Sequence, residues 1–278
     1  MGIGGIRAWS VSLGRPLVMG VLNVTPDSFS DGGQFVTVEE AVARAETMMA
    51  EGADIIDIGP ESSRPGASDV TADEQIRRAI PVIEGILAVA PGCVVSIDTR
   101  LAAVAQRALA AGAVLVNDIS AGTGDARMAE TVARYDAAWV LMHMQGTPQT
   151  MQINPVYDDV VRQVRAYLVE RAQAAVAAGI DPQRVVIDPG IGFGKSVAHN
   201  VALLAGLESL VRTGWAVLIG ASRKRFLSSL SDDATGADQR LGGSLACVGR
   251  AVSAGVQIVR VHDVGATRGF IDTIQALR

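Results

Sequence analysis

The chain places polar residues at the ends of eight short apolar segments, although a polar residue inside an apolar strand is costly unless it is paired. Eight such ends are better explained by one shared site than by eight separate buried pairs. The polar groups are Asn23; Glu61 to Arg64; Asp98 to Arg100; Asn117 and Asp118; His143; Asp188; Ser222 to Lys224; and Arg260, His262 and Asp263.

These residue types indicate two kinds of ligand group. Buried carboxylates suit a flat, neutral heterocycle such as an aminopyrimidinone, whose adjacent N–H groups donate to a two-oxygen acceptor. Arg64, Lys224, Arg260 and His262 suit an anion, and phosphate is the anion that fits best. Arg64 alone could be a solvated loop arginine, but the neighbouring hydroxyls and the turn after it favour a ligand-binding loop.

Two further motifs are weighed on their spacing. Residues 188–196, DPGIGFGKS, resemble the phosphate-binding pattern GxxxxGK[ST], but its first glycine falls on Pro189 and Gly190 comes one position late. These glycines are therefore expected to turn the chain and to let the backbone approach a ligand. His143, between two methionines, could bind a soft metal, but no cysteine or further histidine lies at metal-site spacing, which favours a packed strand end.

The segments that position these residues alternate between strand-like and helix-like patterns. Near-continuous apolar runs predict strands buried on both faces, and the segments between them, such as 38–49 and 156–178, show helical spacing. Eight such units predict an α/β fold, a single-domain (β/α)8 TIM barrel, with a doubly wound open sheet as the alternative. The strand runs are 17–24, 54–59, 94–99, 114–120, 138–144, 185–189, 216–222 and 258–263.

Composition narrows the class of protein. A net charge of −5 with 49% apolar and 19% charged residues excludes disorder, and the acidic balance argues against nucleic-acid binding. No apolar run reaches the roughly 18 residues of a membrane helix, and residues 1–16 lack an apolar signal core. Cys93 and Cys247 are predicted to be buried, reduced thiols rather than a disulfide. Together these features predict a soluble cytoplasmic protein.

Lysine is rare in this chain. Only two of the 24 basic residues are lysines, Lys195 and Lys224.

Two long loops carry the most specific motifs, MGVLNVTPDSFSDGG at 19–33 and IGPESSRPG at 58–66. Six more follow in order: SIDT at 96–99, VNDIS at 116–120, LMHMQG at 141–146, DPGIGFGK at 188–195, SRKR at 222–225 and RVHD at 260–263. These eight motifs, in this order, resemble the dihydropteroate synthase family, and the resemblance runs from about residue 17 to the C-terminus. The departures are Ser63, where the family usually has Thr, and Pro60, where Gly is common.

The resemblance implies a single pterin-binding barrel over residues 1–278, with 1–16 as an N-terminal extension or hairpin. It implies that 4-aminobenzoate displaces diphosphate from (7,8-dihydropterin-6-yl)methyl diphosphate to give 7,8-dihydropteroate. It also implies Mg²⁺ as cofactor, sulfonamide binding, and a homodimer formed through the last helices, where residues 241–252 could pack. The implied partners are these small molecules, with no nucleic acid and no membrane.

The resemblance also implies roles for particular residues. Asp98, Arg64 and Lys224 would be catalytic, and Asn23 would contact the metal. The 4-aminobenzoate site would comprise Ser63, Arg64, Pro65, Phe193, Ser222 and Lys224. The pterin diphosphate site would comprise Asn23, Asp98, Asn117, Ile119, Met142, Asp188, Gly220, Lys224, Arg260 and His262.

The chemistry of these substrates favours loss of diphosphate before or almost before attack by the amine. The dihydropterin can delocalise positive charge, and no Ser–His or Cys–His pair is evident in the sequence to act as a covalent nucleophile.

Two other functions are possible alternatives for this sequence. A corrinoid-linked methyltetrahydrofolate methyltransferase shares the barrel's Asp and Asn positions but has no use for a diphosphate loop with Arg64. A non-catalytic pterin-binding homologue would be expected to lose loop residues that are intact here.

Overall fold

Eight parallel strands close into a barrel in the computed structural model, which describes residues 5–25, 37–62, 69–231 and 236–277. Each strand pairs with the next in the sequence, and β8 pairs with β1. The (β/α)8 prediction is confirmed, and the open-sheet alternative is wrong. The strands are β1 Leu17–Asn23, β2 Ile55–Gly59, β3 Val95–Asp98, β4 Leu115–Asp118, β5 Ala138–Met142, β6 Val185–Asp188, β7 Ala216–Ile219 and β8 Ile258–Val261.

Helices separate the strands and pack around the outside of the barrel. The predicted helix at residues 38–49 is α2, and the one predicted at 156–178 is the shorter α6. The helices are α1 Ile6–Leu13, α2 Val38–Ala50, α3 Ala72–Val89, α4 Ala102–Ala110, α5 Met128–Arg134, α6 Val160–Ala177, α7 Val197–Ala205, α8 Leu207–Val211, α9 Leu241–Ala254 and α10 Val264–Ala276.

Side-chain caps fix where several helices begin. Thr37 caps α2 in a reciprocal capping box with Glu40, and Ser196 caps α7 by accepting from the amide of His199. Such caps satisfy amide groups that have no partner within the helix. The strands stop one to three residues before several predicted ends. After β4, for example, the amide and hydroxyl of Ser120 both donate to the Asp118 carboxylate rather than to a neighbouring strand.

Alternation along the strands divides the barrel interior into an apolar floor and a polar upper end. Ile55, Leu115, Val186 and Ile258 belong to a fully buried apolar cluster inside the barrel. Side chains two residues apart on a strand point to the same face. The next inward positions are therefore Asp57, Asn117, Asp188 and Arg260, which face one another above that floor.

Helix α1 covers the amino end of the barrel. Ile6 is fully buried in the interior apolar cluster, and Trp9 packs against the same cluster. Gly14 ends the helix in a left-handed conformation with φ of 65°. The hairpin alternative for residues 1–16 is therefore wrong for residues 6–13, which extend the barrel with a helix.

Both cysteines are free thiols, as predicted. Cys247 is buried, whereas Cys93 is only half-buried, which corrects the prediction that both are buried. Within the described ranges, the helices are too short or too polar to cross a membrane.

Ile6→Ala should reduce the free energy of unfolding by about 3 kcal/mol, because it leaves a cavity in the barrel floor. Val11→Ala, on the same helix at a side chain that is 71% exposed, should change it by less than about 0.5 kcal/mol. Urea unfolding of both variants measures the difference. Equal losses would show that α1 does not seal the barrel.

Candidate active site at the carboxyl end of the barrel

One cavity at the carboxyl ends of the strands contains nine of the predicted site residues. In the sheet, Asp98 pairs with Asn117, and Asp188 pairs with Met142. All three acceptors line this one cavity, as the shared-site prediction requires. The lining residues are Asp98, Asn117, Ile119, Met142, Asp188, Gly190, Ile191, Phe193, Gly220, Lys224 and Arg260.

A network of buried charges organises one wall of the cavity. The Nε of Arg260 donates to Asp57 at 2.6 Å, and another of its nitrogens donates to Asp98 at 2.8 Å. Asn117 donates from Nδ2 to the same Asp57 oxygen at 2.9 Å. The Asp57 carboxylate therefore holds both the cation and the amide in place.

Asp57 is a site residue that the sequence analysis misses. It is fully buried in the middle of β2, two residues before the end of the strand. Its signal is present in the sequence, because a carboxylate inside the run IIDIG must have a buried partner. The pattern of polar residues at strand ends does not include Asp57, because it lies two residues before the end of β2.

Burial changes the acidity of the two cavity carboxylates. It raises the pKa of Asp98 above its usual range, and the nearby Arg260 opposes that rise. Burial also raises the pKa of Asp188 to about 6, while the amide of Gly190, which donates to Asp188 at 2.7 Å, favours the ionised form. Both carboxylates are thus close enough to their titration range for ligand binding to be linked to proton release.

Lys224 and Phe193 form another part of the cavity wall. The Nζ of Lys224 lies 3.9 Å from the centroid of the Phe193 ring, within the range of a cation–π contact. Burial and the charge of Arg260 lower the pKa of Lys224 to about 8. The ammonium is therefore a donor beside an apolar ring at the edge of the cavity.

Ser222 and His262 lie next to this wall and bond to each other. The Oγ of Ser222 is 3.1 Å from Nδ1 of His262 and accepts from the His262 amide at 3.2 Å. The contact joins two residues 40 positions apart in the sequence, where no such pair is evident. Burial and then the charges of Arg260, Arg223 and Lys224 lower the pKa of His262 to about 3, so it is a weak base. The low pKa favours a neutral ring, which can still offer one N–H to an anion.

Arg223 fixes the turn between Ser222 and Lys224. It has a φ of 58°, a left-handed conformation that costs a non-glycine residue energy. Its amide donates to Ser244 at 3.0 Å, and its guanidinium forms an ion pair with Asp263. These contacts tie the end of β7 to the start of α10.

Two strand-end residues do not join the shared site. Asp118 points outward and accepts from the amides of Ser120 and Gly122, each at 2.8 Å. His143 follows Met142, which lines the cavity, and so points to the opposite face, where it packs edge-on against Tyr167. The prediction that all eight ends converge is wrong for these two residues because alternate strand residues face opposite ways. The packed-strand-end interpretation of His143 is confirmed.

The glycines between β6 and α7 turn the chain, as predicted. Gly190, Gly192 and Gly194 have φ values of 66°, 83° and 59°. A Cβ on Gly190 would lie 2.0 Å from the carbonyl oxygen of His143, and one on Gly194 would lie 2.6 Å from that of Gln145. Two of these glycines therefore allow close approach to the neighbouring chain after β5, where the sequence predicted approach to a ligand.

Other predicted site residues lie outside the described part of the chain. Ser63, Arg64 and Pro65 fall in residues 63–68, and most of the first motif falls in residues 26–36. Asn23 is described and pairs with Gly59 at the strand ends, where a Cβ on Gly59 would lie 3.0 Å from the Asn23 side-chain oxygen. The described residues contain no group of three or more His, Cys, Asp or Glu placed to hold a metal.

The chain matches known proteins over almost its whole length. A family model described as a pterin-binding enzyme matches residues 19–262. The dihydropteroate synthase of Neisseria meningitidis serogroup B is 45% identical over 97% of this chain and 95% of its own. The structure resembles that of Xanthomonas albilineans dihydropteroate synthase with 4-aminobenzoic acid, with a TM-score of 0.89, 48% identity and coverage of 95% and 94% of the two chains.

A Yersinia pestis dihydropteroate synthase in complex with a sulfonamide drug is similarly close, with a TM-score of 0.89, 42% identity and coverage of 96% and 95%. The barrel and its cavity are those of the pterin-binding enzymes. Within that class, the chain belongs to the dihydropteroate synthase family.

Asp57→Asn should weaken the affinity for a pterin by at least about tenfold, because a neutral side chain no longer holds Arg260 in place. Asp54→Asn is the matched control, since Asp54 directly precedes the same strand and pairs with Arg15 at 2.6 Å. It should lower stability and leave pterin affinity unchanged. Calorimetric titration of both variants with a pterin would contradict the role of Asp57 if they bind equally well.

Proposed function

We propose that this chain condenses (7,8-dihydropterin-6-yl)methyl diphosphate with 4-aminobenzoate, giving 7,8-dihydropteroate and diphosphate. The observation that carries the proposal is the cavity itself. It combines buried acceptors with a lysine and an aromatic ring, at the end of a barrel where related enzymes act.

The pterin edge is assigned to Asp98, Asn117 and Asp188. Two carboxylates and an amide match the adjacent N–H groups and ring nitrogens of an aminopyrimidinone. The Lys224 ammonium suits the ring oxygen, and the Arg260 guanidinium suits the ring face and the diphosphate. Ile119, Met142 and Gly220 complete the lining around the flat ring.

The 4-aminobenzoate subsite is assigned to Phe193, Ser222 and Lys224 together with Ser63, Arg64 and Pro65. The Phe193 ring offers an apolar surface to the benzene ring, and the neighbouring ammonium and hydroxyl suit a carboxylate. A sulfonamide mimics this substrate in shape, so the same subsite is the proposed target of sulfonamides.

Mg²⁺ is the proposed cofactor, with Asn23 as the protein ligand. Mg²⁺ keeps several waters and binds through one or two protein oxygens plus substrate phosphates. The single amide oxygen of Asn23 beside Gly59 suits that mode, which needs no cluster of carboxylates. When bound with the substrate, the ion would neutralise charge on the leaving diphosphate.

Within this site, the chain's own residues would favour departure of the diphosphate before the amine attacks. The carboxylates of Asp98 and Asp188 stabilise positive charge that develops on the pterin, and Arg260 stabilises negative charge on the leaving group. The Ser222–His262 pair is not assigned a nucleophilic role, because the His262 ring is too weak a base to activate the Ser222 hydroxyl. The two loops at 25–36 and 60–71 would exclude water from the cation.

We also propose a homodimer and a cytoplasmic location. Helix α9, one of the last two helices, begins with Leu241, which is 36% exposed, and could pack against a second copy. Free thiols at Cys93 and Cys247 are typical of a reducing compartment.

Diphosphate release measured with both substrates and Mg²⁺ tests the proposed reaction. The unmodified enzyme should release one diphosphate for each dihydropteroate formed. Arg64→Ala should abolish turnover and leave pterin binding largely intact, because it removes only the loop cation that meets the diphosphate. Surviving turnover would show that the role given to Arg64 is wrong, and no release from the unmodified enzyme would refute the reaction.

The same assay without 4-aminobenzoate tests the order of steps. Departure of the leaving group first predicts slow diphosphate release from the pterin substrate alone. Undetectable release in solution and in crystals would argue for a concerted displacement.

Pterin affinity should fall as pH decreases through about 6, because only the ionised Asp188 accepts two N–H bonds. The direction of this change follows from the pKa of Asp188. Burial raises that pKa in the free enzyme, and a ligand that donates N–H bonds to the carboxylate would lower it again. Binding near that pH should therefore release protons, and Asp98 should titrate in the same direction. Calorimetry in buffers of different ionisation enthalpy measures the release, and an unchanged affinity between about pH 5 and 8 would contradict it.

A further inference from the structure

Lys195 is the one lysine that the proposed reaction does not use, and it is almost fully buried, with 3% of its surface exposed. Among the described residues it forms no ion pair with a carboxylate within 4 Å, and burial lowers its pKa to about 7. A buried amine is costly unless its donors are satisfied. Its contacts therefore indicate why a lysine is present at this position.

The ammonium of Lys195 meets three acceptors on two segments of chain. Its Nζ donates to the carbonyl oxygen of Phe193 at 2.8 Å and to that of His143 at 3.2 Å, and it lies 3.1 Å from Nδ1 of His143. Burial and the neighbouring charge of Lys195 lower the pKa of His143 to about 3, so the ring is neutral and Nδ1 accepts. The lysine thereby ties the 190–195 loop to the residue after β5.

The rest of that loop is held at other points. Gly192 donates to Asn200 at 2.7 Å, and the carbonyl of Gly194 accepts from the hydroxyl of Tyr157 at 2.8 Å. Gly190 is fixed by Asp188 at the cavity. The backbone of Phe193, whose ring lies against Lys224, is held at its amide by the carbonyl of Gly190 at 3.0 Å and at its carbonyl by Lys195.

We propose that Lys195 is a positioning residue for the 4-aminobenzoate subsite, holding the Phe193 ring in place by fixing its carbonyl to the end of β5. This inference rests on the proposed function of the cavity. It predicts an effect on the affinity for the second substrate that is larger than the effect on the pterin, because the pterin acceptors lie on the strands themselves.

Lys195→Met is the central variant, since methionine keeps the apolar stem and removes the donors. It should raise the KM for 4-aminobenzoate by about tenfold, while kcat and the affinity for a pterin change by less than about threefold. Lys195→Arg keeps the charge and the donors and should show a smaller rise in KM. Equal effects of the two variants, or an equal loss of pterin affinity, would overturn the proposal.

Gln257→Met is the matched control for the loss of a buried polar group. Gln257 is buried at the amino end of the barrel and accepts from the amide of Val217 at 2.8 Å. This variant should lose stability without changing the KM. A rise in KM like that of Lys195→Met would mean that general destabilisation explains both.

A double-mutant cycle with Phe193→Leu tests the route of the effect. If Lys195 acts through the ring, Lys195→Met should change the KM by less than about twofold in the Phe193→Leu background. Independent, additive effects would refute the positioning role.

Amide exchange in the ligand-free protein separates this inference from the proposed reaction. Exchange at the loop amides of residues 190–195 should rise about tenfold in Lys195→Met and stay unchanged in Gln257→Met. Unchanged exchange would overturn the role of Lys195 whatever the activity. Absence of turnover in the unmodified enzyme would instead refute the proposed reaction and leave the exchange result to decide on Lys195.

Discussion

The ion pairs of Arg260 with Asp57 and Asp98 are the interaction on which the site depends. A guanidinium inside a barrel can be tolerated only if carboxylates and good geometry offset its desolvation. Asp57 supplies one carboxylate from below and Asp98 another from the side, so Arg260 has a defined position before any ligand arrives. The same Asp57 oxygen also orients Asn117, and one fully buried carboxylate thereby sets both a cation and an amide.

This arrangement follows from strand alternation inside a closed sheet. Strands β2, β4, β6 and β8 each contribute an apolar residue to the floor and, two positions later, an inward polar residue, so the apolar cluster lies directly beneath these polar groups. The cost of burying these charges appears in the pKa values, which are raised for Asp98 and Asp188 and lowered for Lys224. A ligand with complementary donors and negative charge would relieve that cost, and binding and proton equilibria are therefore coupled.

The fold could be predicted from the sequence almost completely, because eight buried strands with helical segments between them leave few architectures. Much of the cavity could be predicted as well, since motif residues such as Asp98 and Lys224 lie at strand ends. The contacts made by individual side chains could not be predicted from the sequence. Asp57 is hidden within a strand, and whether His143 faces the cavity depends on a register that the sequence does not state. The pairing of Ser222 with His262 depends on two strands 40 residues apart. Helix α1 could not be predicted either, because it packs on a barrel floor that forms only when the strands close.

The placement of the two lysines has a practical consequence for chemical modification. Reagents that acylate or cross-link amines act on side chains that reach solvent in the uncharged form, and the sequence offers them only Lys195 and Lys224 besides the N-terminus. Lys195 is nearly inaccessible, and Lys224 borders the cavity with a pKa lowered to about 8. Amine labelling of Lys224 is thus a measure of whether the cavity is occupied, and attachment to a surface or probe can use carboxylates, arginines, the half-buried thiol of Cys93 or the N-terminus.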